Sequence, residues 1–253
     1  MSKSHLINII KFANLTYKKI YQNHNPKTRY KKEVKYKEEF TKFYNKIQEY
    51  DISDIICIDE TSIQVGMSNT KGRKEIGKRL YKKTTNNDIF KKYTLIVAIS
   101  NAKTVYWKLF QKGGIDTERF KVVLNKILEN KTDKLIIMDN ASSHRNAEIQ
   151  KCIKDLDNDY LYILPYKHYL NPIENYFNQL KHYMRQEEPM DYEKIKEAIR
   201  KSIKQIKKEH YKNYLNNAYD KKNLKKKYKE TKRLMKKLKF IKTKVYHLKL
   251  TSL

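Results

Sequence analysis

Cysteine is scarce: Cys57 and Cys152 are the only two in 253 residues. Two thiols cannot build a disulfide framework or a zinc site. Cys57 sits in an apolar run, where a core role is expected. No apolar stretch approaches the ~20 residues of a membrane-spanning helix, so no membrane partner is expected. The N-terminus lacks the apolar block and small-residue cleavage site of a signal peptide. A reducing, intracellular setting is expected: cytoplasmic in a bacterium, nuclear or in a viral factory otherwise. Glycine is scarce too, and all five lie between Gly66 and Gly114, so turns concentrate there.

Acid is in short supply relative to base. The chain carries 28 Asp and Glu against 57 Lys and Arg, a formal net charge of +29. A chain this basic repels itself when compact, so a polyanion is its natural partner. Nucleic acid is the first candidate, because phosphate contacts release counterions. The abundance of Lys, Asn, Ile and Tyr also fits an AT-rich genome, although codon bias alone need not unbalance Lys against Glu. With 39% hydrophobic and 34% charged residues, the composition suits a folded protein with a heavily charged surface. The length suits one or two domains.

Periodicity divides the chain. Residues 1–25 read as a short helix, Leu6 to Phe12, followed by Leu15-Thr16-Tyr17-Lys18-Lys19. A polar, basic linker begins at Pro26. Tyr36, Phe40, Phe43, Tyr44 and Ile47 mark one face of a helix over 33–50. Asp54 to Ile58 reads as a buried strand ending at Asp59-Glu60. Tyr93–Ser100 and Thr104–Phe110 read as further strands. Phe120, Val123, Leu124, Ile127 and Leu128 mark a helix capped by Asp116 or Thr117. Lys134–Met138 reads as a buried strand ending at Asp139. A polar helix follows over 146–156, then a strand over 160–164 stopped by Pro165. Asn171-Pro172 is a favoured helix start, Asn as cap and Pro at the first position, for a helix running to about Met184 with Glu174 in its first turn. From Asp191 the chain is helical and increasingly basic, with Ile195, Ala198, Ile199, Ile203 and Ile206 on one face. Over 221–244 Lys dominates, with Leu224, Tyr228, Leu234, Leu238 and Ile241 roughly aligned. No internal repeat is present. The order predicts an α/β fold, a mixed sheet with helices packed on it.

Three acids stand out by position. Asp59 and Asp139 each follow a buried strand, and Glu174 opens a helix after a third. Strand ends could bring all three to one edge of a sheet, although an Asp there is equally often a turn residue. Converging carboxylates raise one another's pKa unless a cation neutralises them, and hard oxygen ligands suit Mg²⁺ or Mn²⁺. Two such ions about 3.5–4 Å apart can activate a water and stabilise the leaving oxygen of an in-line attack on phosphate. A basic surface to hold DNA and an acidic pocket to hold metal form a coherent pair.

The segments Ile58-Asp59-Glu60-Thr61-Ser62, Met138-Asp139-Asn140-Ala141-Ser142-Ser143-His144 and Leu170-Asn171-Pro172-Ile173-Glu174-Asn175-Tyr176-Phe177 resemble the three signature blocks of mariner-superfamily DDE transposases and related bacterial insertion-sequence transposases. Thirty-four residues separate Asp139 from Glu174, a spacing found in that superfamily. Gly77-Lys78-Arg79 and the Tyr93–Ser100 strand resemble its intervening region, and Thr16-Tyr17-Lys18-Lys19 with Pro26 its preceding linker. The likeness covers about residues 50–215. It implies an RNase H-like fold, with Asp59, Asp139 and Glu174 as catalytic metal ligands for Mg²⁺ or Mn²⁺, two ions in all. It also implies cleavage of DNA at transposon ends, joining of the freed 3′-hydroxyl to target DNA, and a homodimer on the DNA. Asn140 and His144 carry over as motif members, Asn140 expected to cap the following turn and His144 to pack or hydrogen-bond nearby. Asn171 and Pro172 are expected to set the helix start. Glu60 is expected to lie outside the site, because successive strand residues point oppositely.

The domain organisation expected is a helix-turn-helix remnant and linker over 1–32, a DDE catalytic domain over 33–219 and a basic helical extension over 220–253. The family's bipartite helix-turn-helix region is represented only by the His5–Phe12 helix, so DNA binding is expected to be tight but tolerant of sequence. Two alternatives stay open. One is a non-catalytic or repurposed nucleic-acid-binding protein derived from a transposase, which has no reason to keep all three carboxylates. The other is an adopted nuclease acting on other DNA structures.

Overall fold

The computed structural model describes residues 2–12, 33–69, 81, 83–165 and 167–219. The expectations for Thr16–Lys19, Pro26, Gly77–Arg79 and the 221–244 segment lie outside these. The chain divides into two compact units, 1–38 and 39–253. The first holds helix α1 (Lys3–Phe12) and the opening turns of α2 (Glu33–Gln48).

The second unit is built on a five-stranded mixed sheet. Its strands are β1 (Ile55–Gln64), β2 (Lys92–Ile99), β3 (Thr104–Phe110), β4 (Leu135–Met138) and β5 (Asp159–Tyr162), in the order β3-β2-β1-β4-β5. β1, β2 and β3 form an antiparallel meander, while β4 and β5 join β1 in parallel. β1 runs on to Gln64, five residues beyond the end expected at Asp59, because its pairing with β2 continues from Cys57 to Gln64. Its parallel pairing with β4 covers only Ile55 to Cys57. Asp59 is therefore mid-strand, at the level where β4 has stopped pairing. Gly66 then turns the chain at a φ of +73°, where an added Cβ would lie 2.6 Å from Ile89 Cδ1, so only glycine suits the position.

Strand alternation sends odd and even residues of β1 to opposite faces. Ile56 and Ile58 meet helix α3 (Thr117–Leu128) and helix α4 (Ala147–Asp155). On α3 the residues Phe120, Val123, Leu124, Ile127 and Leu128 are all buried. At about 1.5–3 kcal/mol for each large side chain removed from water, that face outweighs the modest helix propensity of a segment rich in Val, Ile and Phe. Asp116 caps α3, its carboxylate accepting from the Arg119 amide at 2.8 Å.

Cys57, Asp59 and Thr61 face the other way, toward α5 (Ile173–Glu187) and α7 (Lys208–Tyr219), with α6 (Tyr192–Gln205) between them in sequence. The helical stretch expected from Asp191 is formed by two helices, parted at Ile206–Lys207. Tyr219 is buried beside Cys57, with Sγ and the phenol oxygen 3.7 Å apart. Its hydroxyl donates to the Leu170 carbonyl at 3.1 Å, and its ring lies 6.5 Å from that of Phe43 on α2. Cys57 is a core residue as expected, fully buried, and burial pushes its thiol up to about 12.

Candidate active site

Continuing the register of Cys57 opposite Ile137 by two residues brings Asp59 level with Asp139, just past the end of β4. β4 stops there because Asp139 turns back on itself: its Oδ1 accepts from the Ala141 amide at 2.9 Å. Glu174 enters from the first turn of α5. These three carboxylates line one cleft of about 400 Å³, together with Glu60, Asn140, Asn171 and Lys167. The cleft opens where two parallel strands part company, a common place for function in sheets with helices on both faces.

Asp59 is the deepest of the three, 9% exposed. Its Oδ1 accepts from the Glu60 amide at 2.8 Å and its Oδ2 from the Asn171 side-chain amide at 2.7 Å. Burial, followed by the charges of Asp139, Glu60 and Glu174, pushes its carboxyl up to about 7. Burial is the larger cause, and the neighbouring carboxylates add to it. Asp139 goes the other way: the His144 hydrogen bond holds it below the usual carboxylate range.

His144 is fully buried. Its Nδ1 lies 2.6 Å from Asp139 Oδ1 and its Nε2 3.0 Å from Glu60 Oε1. Burial alone would lower its pKa, but the bonds to Asp139 and Glu60 more than offset that and raise it to about 9. A ring protonated on both nitrogens would donate to both carboxylates. The ring packs on Phe120 at 4.1 Å between centroids, so the expectation of packing and local hydrogen bonding for His144 holds.

Three expectations need correction. Glu60 lines the cleft as well; its side chain leaves the opposite face of β1 from Asp59, the face on which His144 packs against Phe120 and meets it. Asn140 does not cap the following turn. Its amide donates to the Ile163 carbonyl beyond β5, and Asp139 itself closes the turn. Asn171 is not the side-chain cap of α5. Pro172 occupies the cap position, with no side-chain cap bond, and Ile173 is the first helical residue. Only 3% exposed, Asn171 spends its amide on Asp59, and its Oδ1 is buried without a hydrogen-bond partner. The helix also runs past Met184 to Glu187, ending at Glu188 in the left-handed region with φ 45°.

One further cation packs against β1 two residues beyond Asp59, unannounced by any motif. Lys181 on α5 is half-buried, and its Nζ donates to Thr61 Oγ1 at 2.5 Å. Burial and then Arg185 lower its pKa, while Glu174 raises it. Its seven-residue spacing from Glu174, two helical turns, was the available signal.

Hard oxygen donors from three separate elements, mutually repelling in a half-enclosed cleft, fit a divalent cation such as Mg²⁺ or Mn²⁺. The buried, unpartnered Asn171 oxygen beside Asp59 is a ready acceptor for a water on such an ion. Among the described residues, no three His, Cys, Asp or Glu groups close on one point tightly enough to form a finished metal shell. The carboxylates share a cleft rather than a preassembled cage.

Residues 54–196 match the DDE superfamily endonuclease family. The chain belongs to that family, and its fold is RNase H-like. Among solved structures it is similar to the Mos1 mariner transposase paired-end complex with Mn, at 18% identity and a TM-score of 0.66 over 87% of this chain and 68% of that one. It is also similar to the crystal structure of the catalytic domain of Mos1 mariner transposase, at 16% identity and a TM-score of 0.59 over 79% of this chain and 93% of that one. No curated protein matches the chain significantly.

Proposed function

We propose that this chain is the catalytic part of a mariner-type transposase, cutting DNA at transposon ends and joining the freed 3′-hydroxyl to target DNA. The observation that carries the reading is the meeting of Asp59, Asp139 and Glu174 in one cleft at the point where β4 leaves β1. These residues would hold the divalent ions, two in number. Such ions, when bound, activate a water and stabilise the leaving oxygen of an in-line displacement at phosphate. The protein's share is positioning. The Glu60 amide and Asn171 fix both oxygens of Asp59, and His144 and the Ala141 amide fix Asp139. Lys181, held to Thr61 two residues beyond Asp59, would neutralise a phosphate flanking the one being attacked.

Residues 33–219 form the catalytic domain in this reading, 1–32 a helix and linker, and 220–253 a basic extension that adds DNA affinity. Two copies act together on DNA. No helix among the described residues is long and apolar enough to cross a membrane. The test is calorimetric titration with Mn²⁺. Wild-type protein is expected to bind, and Asp139→Asn to bind at least about tenfold more weakly. Equal binding by the two overturns the metal site. DNA binding by a wild-type protein that takes up no Mn²⁺ would instead favour a non-catalytic nucleic-acid binder.

A further inference from the structure

Glu60 and His144 are joined in a way that the proposed chemistry does not itself require. His144 lies in the turn between β4 and α4, with its ring packed on Phe120 at an interplanar angle of 31° and no exposed surface. Its backbone is held as well: its amide donates to the Ala141 carbonyl at 3.1 Å, and its carbonyl accepts from the Tyr162 hydroxyl at 2.8 Å. A ring walled in this way retains one freedom, rotation about its own side-chain bonds. The 3.0 Å contact from Nε2 to Glu60 Oε1 removes it. The other nitrogen is thereby aimed at Asp139 Oδ1, 2.6 Å away. That oxygen already accepts from the Ala141 amide, so Oδ2 is the one left for a cation.

We infer that Glu60 is a positioning residue of the metal site, acting through His144 to hold Asp139 in the orientation that offers Oδ2 to the cleft. Glu60 and Asp139 stand on neighbouring elements with the imidazole bridging them, so the clamp also ties β1 to the end of β4 where the parallel ladder has stopped. Partners of this kind behind a metal-binding carboxylate set its geometry and typically change metal affinity by about 10–100-fold when removed. The inference rests on the metal-site reading above.

The test compares two near-isosteric replacements in the full-length chain. Glu60→Gln keeps the hydrogen bond, since its amide can accept from Nε2–H or donate to a bare Nε2. Glu60→Met keeps the length and removes the bond. Glu60→Ala serves as a second deletion should Met pack poorly, and far-UV circular dichroism fixes a temperature at which every variant is folded. Mn²⁺ affinity by calorimetry is expected to fall about 10–100-fold in Glu60→Met and Glu60→Ala and to stay within a few-fold of wild type in Glu60→Gln. Wild-type affinity in Met and Ala overturns the clamp while leaving the site reading intact, provided Asp139→Asn still binds weakly. A Gln variant as weak as Met also overturns it, because charge rather than the hydrogen bond would then be what matters. Wild-type protein that binds no Mn²⁺ overturns both readings.

Discussion

Asn171 spends its amide on Asp59 and leaves its own oxygen unpartnered, both in near-complete burial. A buried acceptor without a donor costs about 1–3 kcal/mol, much the same as a lost hydrogen bond to a carboxylate. Replacing Asn171 by Ala removes the orphaned oxygen but also leaves Asp59 Oδ2 without its donor, so the two effects partly offset in stability. The larger effect is expected in function. Thermal melting of Asn171→Ala should stay within a few degrees of wild type, while Mn²⁺ affinity measured by calorimetry falls roughly tenfold or more. Unchanged affinity would mean that the strand and the Glu60 amide hold Asp59 unaided.

Among the elements, β5 is tied to its neighbours by one carboxylate. Asp159 binds Lys46 of α2 at 2.7 Å and Lys154 of α4 at 2.6 Å, and accepts from Tyr50 and from the Tyr160 amide. Burial pushes its carboxyl up, but Lys154 and Lys46 outweigh that and hold it at about 2. Lys154 is mostly exposed and contributes little, so Asp159→Asn is expected to cost about 1–2 kcal/mol near neutral pH. The sign follows from the depressed pKa. The stabilisation is complete above the unfolded value of about 4 and disappears as pH falls toward the folded one. Urea unfolding of wild type and mutant should therefore differ at pH 7 and converge between roughly pH 4 and pH 2. A gap that persists at the acid end would point to packing rather than charge.

Helix α7 makes a second junction, through Tyr219. Its fully buried ring lies by Cys57 and Phe43, and its hydroxyl serves the Leu170 carbonyl just before Asn171. Tyr219→Phe should cost about 1 kcal/mol for the lost bond, and Tyr219→Ala about 3–5 kcal/mol for the cavity. Chemical denaturation distinguishes the two. Similar costs for both would mean that the pocket collapses around the smaller side chain.

For the whole molecule, charge is the dominant quantity. Fourteen of the 57 basic residues follow Tyr219 in the sequence. If they contact DNA, truncation after Tyr219 should weaken binding and flatten its salt dependence, by a slope of ~0.9 per lost phosphate contact on duplex DNA. The thermal midpoint should hardly move, because Tyr219 itself is retained. Fluorescence anisotropy across a salt series measures the slope. An unfolded or precipitating truncation would place the extension in the core.

Much of the layout was legible along the chain. Residues 135–138 and 95–99 are short apolar runs with no polar gap, and such runs become strands buried on both faces. The stripe Phe120, Val123, Leu124, Ile127 and Leu128 can only be a helix with one dry side, and Asp59, Asp139 and Glu174 were marked by the segments around them. What no local pattern carried was pairing across distance. Asp59 turned out to be mid-strand because β2 extends β1 while β4 abandons it, and that depends on the partner strands. Glu60 was tied to Asp139 by a ring 84 positions later in the sequence. Asn171 gave its amide to Asp59 rather than to its own helix, across 112 positions. Periodicity encodes which side of an element is dry, since burial acts on each element's own face. Hydrogen bonds between separated side chains depend on where the finished sheet and helices put them, and only the tertiary structure decides that.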